Sequence, residues 1–257
     1  MDNGLKARRA RLVLAAIVVA VAGLLVAGGF AAATLMRNDA KGAPQTDAGP
    51  SASSPAPTGG TAPDGPMTPE RAQKISLRKP TDHKDGVAIG FPGSPSGGIS
   101  AAVYWWEEFA WLDDEKAAQQ LNAVVSKDAP GYVDKQVSEI RKMREVLGLA
   151  PSGGIPADIS FTTAVHAARG KTLKAPGLPA GDVMQVWLSY DRFATGPKGG
   201  TDPNPMRGAT ISFVVKWEDG AWKFTDKYDA LGDFPVAYEP NSPYAWSDGW
   251  VQVRHAN

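Results

Sequence analysis

Hydrophobic and polar positions divide the chain into three regimes. Residues 12–36 are 25 consecutive uncharged positions, fenced by Arg11 and Arg37. At about 1.5 Å of rise per residue they exceed the roughly 20 residues that cross a hydrocarbon core, so a transmembrane helix is predicted there. Residues 37–76 show no periodicity. Pro44, Pro50, Pro55, Pro57, Pro63, Pro66 and Pro69 sit among Ala, Gly, Ser and Thr, without one aromatic residue. Such a stretch buries too little to offset its ordering entropy. It is predicted to be a disordered linker with a reach on the order of 30 Å. Periodic apolar patterning occupies residues 77–230, and an aromatic, proline-rich tail follows over 231–257.

The third regime opens with helical spacing. Beyond the turn-rich run Gly90-Phe91-Pro92-Gly93-Ser94-Pro95-Ser96-Gly97-Gly98, a helix is predicted over 99–112. Its wheel places Ile99, Ala102, Val103, Trp105, Trp106, Phe109, Ala110 and Leu112 on one half, a face wide enough to lie deep against a sheet. Tyr104, Glu107, Glu108 and Trp111 fall on the other half. A second helix is predicted over 115–126, capped by Asp113 or Asp114, with Pro130-Gly131 as its breaker. Val133, Val137, Ile140, Met143 and Leu147 mark a third over 132–147, closed by Gly148. The period then changes to two: Ile159, Phe161, Thr163 and Val165, next Met184, Val186, Leu188 and Tyr190, and finally residues 209–217. Asp219-Gly220 predicts a type I′ hairpin that sets Trp217 opposite Trp222, on one face with Val215 and Phe224. Three helices followed by a curved antiparallel sheet make an α+β cone.

This succession, ending in the Trp217-Glu218-Asp219-Gly220-Ala221-Trp222 hairpin, resembles the nuclear-transport-factor-like cone, also called cystatin-like or SnoaL-like. The lead from Gly90-Phe91-Pro92 to Ala101-Ala102-Val103 sits behind one anchor and a Pro-rich spacer. That arrangement is similar to single-pass membrane proteins of high-GC Gram-positive bacteria, some of which occur with conjugative elements. The same layout is shared by scaffold subunits of type IV secretion and by TcpC-like conjugation proteins. The resemblance covers residues 85–229 and rests on packing and turn motifs. It implies a scaffold or accessory role in an envelope complex and carries over no catalytic residue.

Charge sets the orientation. Lys6, Arg8, Arg9 and Arg11 oppose only Asp2, which keeps residues 1–11 in the cytoplasm and places everything after the span outside. A cleaved signal has a shorter apolar core of about 7–15 residues, so a retained anchor is expected, although Ala31-Ala32-Ala33 offers a cleavage site. Gly23, Ala27 and Ala31 recur at a spacing that lets two spans self-associate; the abundance of Ala and Gly accounts for the same pattern. Cysteine is absent, which excludes disulfides, thiolate metal sites, a cysteine nucleophile and a lipidated cysteine. Of 27 basic and 27 acidic residues, setting aside the four cytoplasmic bases and Asp2 leaves 23 against 26 outside. Nucleic acid needs a basic face, so it is not an expected partner.

Candidate chemistry is sparse. His83, His166 and His255 are far apart and show no metal-ligand spacing, so neither metal nor cofactor is expected. Ser94 and Ser96 lack both the nucleophile-elbow and the phosphate-loop frames. Adjacent Glu107 and Glu108 diverge by about 100° on a helix and read as a solvated face. One enzymatic alternative exists, because some relatives of the cone place an Asp base and a Tyr donor in its mouth to isomerise or hydrate small apolar ligands. Here these would be Tyr190 with Asp158 or Asp182, in a pocket lined by Trp187 and Phe193. The competing reading makes Tyr190 a core residue and both Asp residues strand caps.

Aromatics give a different lead. Tyr104 and Trp111 form a stripe where charge is expected, and the tail contains Tyr244, Trp246 and Trp250. Either the tail folds back over the stripe, or these five residues belong to a partner-binding surface. The chain therefore reads as a non-enzymatic, single-pass membrane protein whose outer domain binds other envelope proteins. A tethered ligand-binding or isomerase-like cone is the alternative. Protease added to intact cells is expected to digest the Trp-bearing domain; a domain that survives until lysis refutes the topology.

Overall fold

The computed structural model describes residues 70–156, 159–196, 202–232, 235–237, 246 and 248–255. The predicted transmembrane span and most of the linker lie outside these residues. No helix among the described residues is long and apolar enough to cross a membrane. Strand β1 (Lys74–Ser76) precedes a hairpin of β2 (Asp82–Lys84) and β3 (Val87–Ile89). Helices α1 (Pro95–Glu108), α2 (Asp114–Val124) and α3 (Tyr132–Val146) follow. Then come β4 (Ser160–Thr172), β5 (Val183–Thr195), β6 (Met206–Glu218), β7 (Ala221–Phe224) and β8 (Val251–Arg254).

Among the described residues, one sheet has the order β1-β8-β4-β5-β6-β7, and β2 pairs with β3 separately. Every pairing is antiparallel except β1 with β8. The expected α+β class is what the chain adopts, but the order is not helices first: β1, from the end of the predicted linker, and the β2–β3 hairpin precede them, and β1 joins the sheet in parallel. Register breaks between Val165 and Ala167, and between Tyr190 and Arg192, bend the sheet about α1. The first break also shifts parity: Val165 and Ala168 both join the main core, while Ala167 packs on the other side. The β6–β7 hairpin forms in the expected register, Trp217 opposite Trp222 and Val215 opposite Phe224. Its turn residues Asp219 and Gly220 have φ of 50° and 77°, as a type I′ turn requires.

Helix α1 begins and ends four residues before its expected bounds. Ser94 caps it, accepting from the Gly97 N–H, with Pro95 in the first turn. Gly97 and Gly98, which read as loop in the sequence, lie inside the helix because the packing has no space for a side chain. A Cβ at Gly97 would stand 1.9 Å from the Pro92 carbonyl oxygen, and one at Gly98 would stand 2.7 Å from Met184 Sδ. The early end takes Trp111 off the helix and into the following turn, so the helical stripe with Tyr104 does not form.

The core fills the space between α1 and the sheet. Trp105 and Trp106 meet Met184, Val186, Leu188 and Tyr190 of β5, Ile211 and Phe213 of β6 and Phe224 of β7. Strand β5 is also covered behind. Trp187, on the opposite face, is fully buried with Ala167 and Trp250, and Leu231, Ala237 and Trp246 pack around them. The tail is therefore part of the architecture, supplying one strand and a second layer. Glu107 and Glu108 do not form a solvated face. Glu107 accepts from the Val165 N–H (2.9 Å) and meets His255 (2.7 Å), and Glu108 accepts from the Ala88 N–H (2.7 Å). Each carboxylate ties α1 to a strand whose N–H would otherwise lack a partner.

Alanine normally stabilises a helix interior relative to glycine by about 1 kcal/mol. At position 97 the sign is expected to reverse. Gly97→Ala should lower stability by about 1–3 kcal/mol in urea denaturation, because the Pro92 carbonyl that accepts from Trp222 Nε1 must move.

Candidate functional site

The residues singled out in the sequence disperse over the fold. Tyr104 is half-buried between Phe91 (5.5 Å between ring centroids) and His255 (5.7 Å). Burial, then the neighbouring Glu107 and Glu108 charges, raises its phenol above the ordinary value. Trp111 is 5% exposed and Trp250 2%, so neither presents a surface. Trp246 is half-buried beside Trp250, and Tyr244 lies outside the described residues. Of the tail's described residues, His255 packs on Tyr104, while Trp246 and Trp250 pack on the other side of the sheet with Trp187.

Among the described residues, the alternative pocket of Tyr190 with Asp182, lined by Trp187 and Phe193, does not come together. Tyr190 and Trp187 differ in strand parity and occupy opposite faces of β5, with Phe193 on the Trp187 side. Asp182 precedes β5, where its carbonyl accepts from the Trp217 N–H, so eight residues of extended chain, roughly 26 Å, separate it from Tyr190. Asp158 lies outside the described residues. Tyr190 is 1% exposed, and burial raises its hydroxyl above the usual value against the pull of the nearby Arg192 charge.

What the fold does gather around Tyr190 is an aromatic cluster with a cation in it. The Trp106 ring lies 5.2 Å from Trp111, 5.3 Å from Tyr190 and 5.4 Å from Phe213. The Arg192 guanidinium carbon sits 3.2 Å from the centre of the Trp111 ring and about 5 Å from those of Trp106 and Tyr190. Burial draws this guanidinium down to about 9 from its usual 12.5, with Tyr190 opposing weakly. Sequence reasoning missed Arg192, although a signal existed. Extending the inward register Met184-Val186-Leu188-Tyr190 by one step reaches an arginine where an apolar residue is expected.

A second polar cluster lies where α2 meets the β6–β7 hairpin. Ser126 Oγ lies 2.6 Å from both Asp128 and Glu218 and has one proton to donate between them, while Lys216 Nζ reaches Asp128 (2.8 Å) and Glu218 (2.9 Å). Ser126 and Lys216 share these two carboxylates, and the arrangement works against catalysis. Burial would lower Lys216, yet its bonds to Asp128 and Glu218 raise it further above the ordinary lysine value, so it holds its proton. A general base needs the opposite shift. The cluster anchors one end of a groove of about 720 Å³ between α2 and α3, floored by Val125, Val133 and Val137. Lys127, Asp134 and Arg141 stand on its rim. Among the described residues no three His, Asp or Glu side chains converge as a metal site.

Two carboxylates stabilise this region in a pH-dependent way. Burial would raise Asp114, but the Gly153 N–H, Arg141 and Ser152 outweigh it and hold the group at about 2. Asp128 is likewise held at about 2, burial being outweighed by Lys216, Ser126 and Thr225. Both are depressed below their usual 3.8, so their contribution is complete above that value and is lost as pH falls from about 3.8 towards 2. Acid titration followed by tryptophan fluorescence should show this loss, on the order of 1 kcal/mol apiece after solvent screening. Asp114→Asn should flatten it.

No family model, curated protein or solved structure matches this chain.

Proposed function

We propose that this chain is a non-enzymatic membrane protein, anchored by residues 12–36, whose folded domain lies outside the cell and binds other envelope proteins. The resemblance to the nuclear-transport-factor-like cones of conjugation and secretion scaffolds supports this reading. The observation that carries it is the filled interior. The Trp106 ring stands 5.2–5.4 Å from those of Trp111, Tyr190 and Phe213, in the volume where a cone enzyme would keep its substrate. Recognition then falls to the surface, and the groove between α2 and α3 is concave, with an apolar floor and a rim of both signs. An extended segment of another envelope protein suits that shape and chemistry, since apolar side chains can seat between charged rims.

A photo-crosslinking residue at exposed position 122 in the groove, introduced into the full chain in intact membranes, should capture one defined partner. The same residue at exposed position 174 should not. Ser138→Arg in the groove should reduce the crosslinked yield roughly tenfold at unchanged melting temperature. Equal capture at both positions, or none at either, refutes the proposal.

A further inference from the structure

The described part of the chain buries two arginines in its interior and treats them differently. Arg144 is 3% exposed and donates to the carbonyls of Leu112, Ala150 and Gly154, which fixes the loop after α3. Arg192 is 6% exposed, and its Nε donates to Thr163 Oγ1 at 2.9 Å. Its Nη1 and Nη2 are sealed from solvent without any hydrogen-bond partner. The indole nitrogens of Trp106 and Trp111, whose rings pack beside the same guanidinium, also lack acceptors. All four nitrogens can only donate. A buried donor without an acceptor is costly, and a buried cation without a counter-charge more so.

Four buried donors without an acceptor, two of them on a guanidinium cation, call for an acceptor that brings negative charge. From this we infer that Arg192, stacked on Trp111 beside Trp106, is the receptor for a small monovalent carboxylate. The two free Nη groups form a fork that matches the two oxygens of a planar carboxylate, which accepts both bonds in parallel. One positive charge answers one negative charge, which disfavours a phosphate dianion. The close approach of the rings restricts the ligand to a body of a few heavy atoms. Aromatic faces exclude water around the pair and so strengthen it. This inference does not rest on the protein-binding role proposed above, whose groove between α2 and α3 lies elsewhere; it concerns the ring cluster whose packing leaves no room for a larger substrate.

The full chain in detergent, in buffer without small anions, should be titrated with acetate and with formate, using chloride and phosphate at equal ionic strength as comparisons. Wild type is expected to show a saturable rise in melting temperature of a few degrees at about ten times Kd, specific to the carboxylates. Arg192→Met places an apolar chain of similar length in the cage. It should abolish the rise while melting no lower than unliganded wild type, because an uncompensated charge has been removed. Arg192→Lys keeps the charge but loses the fork and should bind roughly tenfold to a hundredfold more weakly. Wild type that melts alike in acetate and chloride overturns the inference whether or not the variants fold. So does an acetate-dependent rise that persists in Arg192→Met, and a preference for phosphate reassigns the ligand class and overturns it equally.

Discussion

The seating of α1 on the sheet is the contact from which the rest of the domain follows. Gly97 and Gly98 bring the helix backbone so near Pro92, Met184 and Trp222 that no side chain fits between. That approach drives Trp105 and Trp106 into the sheet and aligns Glu107 and Glu108 with the N–H groups of Val165 and Ala88. The domain has no cysteine for a covalent staple. Its stability therefore depends on apolar burial and on the few charged groups that fasten one element to the next.

Those charged groups share a logic. Asp114 holds the Ser152-Gly153 loop, Arg144 holds the carbonyls around it, and Asp128 with Lys216 and Glu218 fixes the hairpin to the end of α2. Each joins segments that hydrophobic contact alone would leave free to slide. In each, several partners surround the ion, which is how buried charge becomes tolerable. Arg192 departs from this pattern. Its neighbours are ring faces and one hydroxyl, an environment that tolerates a cation yet leaves two nitrogens free for an anion.

Much of the fold was legible in the chain. The positions of the second and third helices, the three long strands and the register of the Trp217–Trp222 pair follow from period, caps and turn chemistry, which are local properties. The bounds of α1 were not legible. Glycine disfavours helix on its own account, and only the nearness of Pro92 and Met184 turns the pair at 97 and 98 into a requirement. The site was barely legible. Tyr190 and Trp187 are three residues apart in sequence but look into different layers, and the tail that buries Trp187 is distant in the chain.

The sequence by itself determined the class of fold, the absence of covalent cross-links and which segments are periodic, because each depends on composition or on neighbours a few residues away. Only the tertiary structure decided where the aromatic residues went. It placed Trp111 over Arg192, Tyr104 against His255 and Trp250 behind β5. The physical reason is that burial is a property of the packed whole. A tryptophan's surroundings are set by elements far along the chain, and no local pattern records which of them arrives to cover it.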